Sequence, residues 1–89
     1  MTFKEVTAHW TDKTKTIGTH VGNKEIIVKF LSDKNHYVLI VNEPRKAQVP
    51  TGEFIGEYST LEEVEIKIAD LPCAKDIDPN GWVISPEMY

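Results

Sequence analysis

Three short apolar runs lie within residues 17–41, and their β-branched and aromatic residues recur at every second position. This is the period of a β-strand. Gly22-Asn23 offers a two-residue hairpin turn between the first two runs, with Gly22 at a position that needs a positive φ. Ser32-Asp33-Lys34-Asn35 can close the next hairpin as a four-residue loop. The pattern therefore predicts three consecutive antiparallel strands.

The two turns also predict the register of these strands. Both turns place the same residues of the middle strand, Ile26, Val28 and Phe30, on one apolar face. Because turn chemistry and hydrophobic pattern agree, we expect this face to enter the core. The expected cross-strand pairs are Ile17 with Val28, Thr19 with Ile26, His20 with Glu25, Phe30 with Tyr37, Val28 with Leu39, and Ile26 with Val41.

Further strands are predicted on both sides of this unit. The apolar residues Val6, Ala8 and Trp10 alternate with polar ones, which predicts a first strand over about residues 3–10. The segment 43–52 contains two prolines, which lack the backbone donor of a ladder, so it cannot continue a central strand. Two more short strands are expected, at residues 53–58 and 82–84.

One segment of the second half has helical spacing. Its apolar residues share one helical face: Leu61, Val64, Ile68 and Leu71. A capping box, formed by Ser59 with Glu62 or by Thr60 with Glu63, precedes this stripe and supports a helix over about residues 60–71. The same stretch also alternates strictly over residues 63–68, so a strand is the competing prediction.

Together these elements predict an α+β fold. We expect an antiparallel sheet of about five or six strands, arranged as a meander of hairpins, with one helix at about residues 60–71 packed on one face. The 25 valine, isoleucine and threonine residues, against 8 leucine and alanine residues, favour strands. A chain of 89 residues fits a single small domain, which we expect to span residues 1–89.

The second face of the central hairpin is also apolar. The predicted register places Ile27 opposite Ile40 on that face, together with Val38 and Leu31. One helix cannot cover both faces of a sheet, and an exposed apolar patch usually marks an interface. We therefore predict a partner interface at Ile27, Leu31, Val38 and Ile40, with a homodimer as one possible occupant. The alternative is that the N-terminal segment, through Phe3, Val6 or Trp10, folds over this face.

Near the end of the chain, one spacing resembles the calcium loop of an EF-hand. Asp76, Asp78, Asn80 and Glu87 fit the pattern D-x-[DN]-x-[DN]-G-x5-E, whose oxygen atoms wrap a calcium ion. Prolines within and beside this loop oppose the flanking helices of the motif. A tight Asp-Pro-Asn-Gly turn is therefore the favoured interpretation, and a calcium-binding module at residues 76–87 is an alternative.

Candidate catalytic groups are few. His9, His20 and His36 fall on different predicted strands, and a zinc or catalytic site would need two of them to converge with a third ligand. Cys73 is the one cysteine and has no neighbouring histidine to generate a thiolate. We therefore expect neither an enzyme nor a cofactor. The chain has a lone cysteine, a first segment without an apolar signal and no long apolar run. These features predict a cytoplasmic protein with no membrane partner.

Charge is distributed unevenly along the chain. Residues 1–48 carry a net charge of +3 and residues 49–89 a net charge of −7. The acidic half suggests a surface that attracts a basic partner, formed by Glu53, Glu57, Glu62, Glu63, Glu65 and Asp70. The basic half suggests a weaker nucleic-acid surface around Trp10, formed by Lys13, Lys15, Lys24, Lys29, Arg45 and Lys46.

These patterns favour a non-catalytic interaction protein, a small regulatory or accessory factor that binds another macromolecule through its surface. The expected partner is a protein or a second copy of the chain. A nucleic-acid-binding module that uses the basic N-terminal sheet is an alternative, and the calcium-binding module is another.

We expect little or no binding to nucleic acid at physiological salt. The net charge of −4 opposes the counterion release that drives such binding. Titration of labelled single- and double-stranded DNA and RNA at about 150 mM salt tests this expectation. A sub-micromolar Kd with a steep salt dependence would contradict it.

Overall fold

The computed structural model describes residues 1–42 and 52–85. Its five strands form one antiparallel sheet, in which the first four strands of the chain are a meander and the fifth joins at the edge beside the first. The class is α+β, as predicted. The elements in chain order are α1 (Phe3–His9), β1 (Thr16–Val21), β2 (Lys24–Leu31), β3 (His36–Asn42), β4 (Gly52–Tyr58), α2 (Leu61–Asp70), a 3₁₀ turn (Ala74–Asp76) and β5 (Val83–Ser85).

Both predicted hairpins are confirmed, and their registers agree with the sequence-based pairs. Ile26 lies opposite Thr19 on one side and opposite Val41 on the other. Each turn contains a residue in the left-handed region, Gly22 with φ 62° and Asn35 with φ 57°. Glycine and asparagine adopt this conformation at low cost, which explains why these residues direct the turns.

The predicted first strand is wrong, because residues 3–9 form α1. Thr2 begins the helix with a capping box, in which its hydroxyl accepts the Glu5 N–H at 3.1 Å and the Glu5 carboxylate accepts the Thr2 N–H at 2.9 Å. Val6 and Trp10 are four residues apart, a spacing that fits one face of a helix as well as alternate positions of a strand. The sheet consequently has five strands and the domain has two helices.

The predicted helix of the second half is confirmed as α2, and the competing strand is excluded. The Thr60 hydroxyl accepts the Glu63 N–H at 3.2 Å and so caps the first turn. Both helices pack on the same face of the sheet, which we call the inner face. The core on that face consists of Val6, Trp10, Ile17, Val21, Ile26, Val28, Leu39, Val41, Val64, Ile68, Leu71 and Trp82.

This arrangement leaves the opposite face of the sheet, which we call the outer sheet face, without a helix from residues 1–42 and 52–85. Val6 and Trp10 belong to the inner core, so the alternative in which the N-terminal segment folds over Ile27 and Ile40 is wrong. None of the helices in the described part of the chain is long and apolar enough to span a membrane. Residues 43–51 and 86–89 lie outside the described residues, and with them Arg45 and Lys46 of the predicted basic surface and Glu87 of the predicted calcium loop.

A register shift in β4 determines which of its residues reach each face. Gly56 pairs with Leu39, but Phe54 pairs with Ile40, so Ile55 is the extra residue of a β-bulge. Ile55 packs against the inner core. Phe54 shares the outer sheet face with Ile40, and 61% of its surface is exposed.

The helical form of the first segment can be tested with two substitutions. Val6 is fully buried, so Val6→Ala is expected to lower the free energy of unfolding by roughly 2–3 kcal/mol. Ala8 would share the buried face of a strand with Val6 but is exposed on the helix, so Ala8→Lys is expected to change stability by less than about 0.5 kcal/mol. Urea denaturation measures both. If Ala8→Lys lowered the free energy of unfolding as much as Val6→Ala, the helical form of this segment would be contradicted.

Candidate functional site

An apolar groove of about 460 Å³ separates α1 from α2 and from the segment that follows α2. We call it the α1–α2 groove. Small side chains at Ala69 and Ala74 leave the space open. The apolar residues that line the groove are Phe3, Ile68, Ala69, Ala74, Ile77, Pro79 and Trp82.

The floor of this groove is held by contacts between the first residues and the last turn before β5. The Met1 ammonium donates to the Asn80 carbonyl oxygen at 2.7 Å, and the Trp82 N–H donates to the Met1 carbonyl oxygen at 3.0 Å. The Phe3 ring meets the Trp82 indole edge-on, with 5.0 Å between ring centroids. These contacts fix Phe3 and Trp82 as a rigid apolar surface.

Charged groups lie at the two walls of the groove. Lys4 stands on the α1 side and Glu65 on the α2 side. Within residues 1–42 and 52–85, neither takes part in an ion pair. The Glu5 carboxylate accepts the Thr2 N–H within α1, and this hydrogen bond lowers the pKa of Glu5.

Three residues of the predicted acidic surface share the exposed side of α2. Glu62 and Asp70 lie one helical turn on either side of Ile66, and Glu65 lies beside it. Ile66 is an apolar residue with 69% of its surface exposed. We call these four residues the α2 acidic surface. The described residues offer no ion-pair partner to Glu62, Glu65 or Asp70.

The other three predicted acidic residues have separate positions. Glu63 accepts hydrogen bonds from Ser59 at 2.8 Å and Thr60 at 3.2 Å at the start of α2. Glu57 meets the His36 Nδ1 at 2.7 Å on the outer sheet face. Glu53 is exposed on β4, opposite Val41. The six carboxylates therefore do not form one surface, and the part beside the groove is the smaller set on α2.

The predicted partner interface lies on the outer sheet face, and its four side chains differ in how much of their surface is exposed. Ile27 and Val38 are only 3% and 7% exposed, whereas Leu31 and Ile40 are half-buried. The most exposed apolar residues of this face are at its edges, Phe54 and Val83, and sequence reasoning missed both. The bulge that turns Phe54 outward leaves no local signal in the sequence.

The apolar groove was also missed, because its walls come from segments far apart in the chain. Ile66 gave a signal only for the exposed side of α2, because it does not line the groove. It lies off the helical stripe that the core residues of α2 form, so a helical projection places an isoleucine on the polar side. Phe3 lines the groove because the first segment is a helix, and the predicted strand did not indicate this.

The predicted Asp-Pro-Asn-Gly turn is confirmed. The Gly81 N–H donates to the Asp78 carbonyl oxygen at 3.0 Å, and the Asn80 N–H donates to the Asp78 carboxylate at 2.9 Å. Asp76 ends the preceding 3₁₀ turn, and Glu87 lies outside the described residues. In the two described segments, no group of three or more histidine, cysteine, aspartate or glutamate side chains could hold a metal ion.

The histidines and the cysteine occupy separate structural positions. His9 Nδ1 lies 2.8 Å from the Glu5 carbonyl oxygen on α1, and His36 is paired with Glu57. His20 is exposed on β1, opposite Glu25. Cys73 is half-buried against the core and follows α2.

One residue of the predicted basic surface has a structural role. Lys13 Nζ donates to the Trp10 carbonyl oxygen at 2.6 Å and lies 4.4 Å from the centroid of the Trp10 ring. Partial burial lowers the pKa of this lysine. Its ammonium group is therefore directed to the end of α1 and to an aromatic ring.

Comparison of the chain with protein-family models, with curated proteins and with solved structures gave no match. The function is therefore inferred from the chemistry and geometry of this chain alone.

We expect calorimetric titration with calcium to give no heat that fits a single site of micromolar affinity. The Asp78 carboxylate is already oriented by the Asn80 N–H, and the turn places it in no metal-binding group with other described acids. Asp76→Ala is the control variant. Heat that fits one micromolar site in the natural protein and disappears in Asp76→Ala would show that the loop is a calcium site.

Proposed function

We propose that this protein is a non-catalytic interaction module that binds a basic, amphipathic segment of another protein in the α1–α2 groove. The observation that carries the proposal is an open apolar groove bordered by the Glu65 carboxylate, which has no ion-pair partner among the described residues, on a helix whose exposed side carries two further carboxylates, Glu62 and Asp70.

The size and lining of the groove support binding rather than a packing defect. Its volume of about 460 Å³ falls within the roughly 300–1,000 Å³ of ligand sites in proteins. The walls are apolar side chains, with Phe3 and Trp82 as rigid aromatic surfaces. Phe3 is half-buried and can offer aromatic contact area to a partner at low conformational cost, whereas Trp82 is only 2% exposed and supports Phe3 from within the core.

Charge supports a basic partner. Glu65 borders the groove on the α2 side and Lys4 on the α1 side, while Glu62 and Asp70 make the exposed side of α2 negative. Lysine or arginine side chains of a bound segment would meet these carboxylates at the rim. Opposite charges at a rim accelerate association and select among partners more than they raise affinity.

The shape of the site favours a helical segment. An amphipathic helix presents apolar residues three and four positions apart to a groove and keeps its charged residues at the edges. Ile66 is 69% exposed on α2, where it lines a separate hollow with Tyr58 and Lys67 rather than the groove. The nucleic-acid alternative has less support, because Lys13 is directed onto Trp10.

Selection from a displayed peptide library tests the proposal directly. We expect peptides with paired apolar residues and an excess of lysine and arginine to be enriched on the natural protein. In ¹⁵N-labelled protein, the amide signals of Phe3, Ala69 and Trp82 should shift most on peptide addition. Ala69→Phe fills the groove and should raise the peptide Kd by about tenfold or more, equivalent to about 1.4 kcal/mol.

Two further variants separate charge from shape. Glu65→Gln should weaken binding and reduce its salt dependence, because a carboxylate is removed from the rim. Phe54→Ser removes an exposed apolar residue from the other face of the sheet and should leave the peptide Kd unchanged. If no basic peptide is enriched, or if Ala69→Phe binds as tightly as the natural protein, the proposal is wrong.

A further inference from the structure

The outer sheet face carries an apolar row that crosses all five strands. Hydrogen-bonded register places its five positions side by side, in the order Val83, Gly18, Ile27, Ile40 and Phe54. Side chains of paired residues lie on the same face of a sheet, so this row runs from one edge to the other. It is separate from the α1–α2 groove, which lies on the inner side.

Side chains of this row project far from the sheet at one end, and the surface is recessed near the other end. Phe54 on β4 projects with 61% of its surface exposed. Three strands away, a hollow of about 80 Å³ lies over Gly18, with the apolar residues Ile27 and Val83 and the polar residues Thr16, His20, Glu25 and Ser85 among its walls. A Cβ atom at position 18 would be 2.7 Å from the Ile26 carbonyl oxygen, so the close approach of β1 and β2 requires glycine there and keeps the hollow open.

The spacing between Phe54 and the hollow fits a two-fold axis. An axis parallel to the strands, between β2 and β3, exchanges β4 with β1 and β2 with β3. It therefore places Phe54 of each copy over the hollow at Gly18 of the other, and Ile27 of each copy over Ile40 of the other. We propose that the outer sheet face is the interface of a symmetric homodimer in which each Phe54 fills the hollow over Gly18 of the second copy.

Charge does not oppose this arrangement. Glu25 is paired in register with Asn42, and Lys29 with Val38. Because the axis exchanges β2 with β3, Glu25 lies over Asn42 of the second copy, and Lys29 lies over Val38. No like charges of β2 and β3 face each other, which is the condition for a self-complementary interface.

The area of the face predicts a weak dimer. The four strands that overlap in the dimer, β1–β4, have six to eight residues each and give a flat surface of about 450 Å² at ordinary strand spacings. Standard interfaces bury roughly 800 Å² on each partner, so we expect a Kd on the order of 100 µM. Ile27 is already only 3% exposed, so most of the new burial falls on Phe54.

Sedimentation velocity over a concentration series up to about 1 mM tests the proposal. Phe54→Ser should raise the dimer Kd by about tenfold or more, and Ser85→Phe should do the same because it fills the hollow from its wall. Ile66→Ser is the matched control, since it removes an equally exposed apolar residue from α2 and should leave the dimer Kd unchanged. A monomer at the highest concentration, or a dimer that Phe54→Ser does not weaken, would overturn the proposal.

The geometry has its own test by NMR. Phe54 and Val83 lie at opposite edges of one sheet, four strand spacings or about 19 Å apart, too far for a nuclear Overhauser effect within one chain. In a mixture of differently labelled copies, we expect a filtered effect between the Phe54 ring and the Val83 methyl groups. A dimer seen by sedimentation without this signal uses another surface, which also overturns the proposal. Neither result depends on peptide binding in the groove.

Discussion

The rest of the structure depends on the burial of one face of β2. Ile26 and Val28 are fully buried there, and Ile17 on β1 and Leu39 on β3 continue the same apolar surface. An apolar sheet face is stable in water only when another layer covers it. Both helices therefore pack on this side, and no helix from residues 1–42 and 52–85 covers the other side.

Covering one face with two short helices also creates the candidate site. α1 has seven residues and α2 has ten, so the two helices leave a gap between them over part of the sheet. The segment after α2 closes one end of this gap with Trp82, and small alanines leave it open to solvent. The same packing that completes the core thus leaves an accessible apolar groove, whose use by a partner we have proposed.

Some charged side chains of this protein stabilise local structure and others are open to a partner. The net charge does not distinguish these two groups. Lys13 is directed to the end of α1, the Glu63 carboxylate accepts the hydroxyls of Ser59 and Thr60 at the start of α2, and Glu57 is paired with His36. These groups stabilise local structure. Among the described residues, the carboxylates beside Ile66 make no such contact, so the charge open to a partner is a small, localised part of the total.

The sequence by itself determined the three-strand unit and α2, because local turn residues, the period of apolar positions and a helix cap all act over a few residues. It left α1 open, because the spacing of Val6 and Trp10 fits a strand or a helix. Thr2 and Glu5 have the spacing of a capping box in the sequence, but the need to cover the apolar face of β2 selected the helix. The groove, the outward position of Phe54 and the hollow over Gly18 were decided only by the tertiary structure. Each arises where segments distant in the chain meet, and no local pattern encodes the gap or step between them.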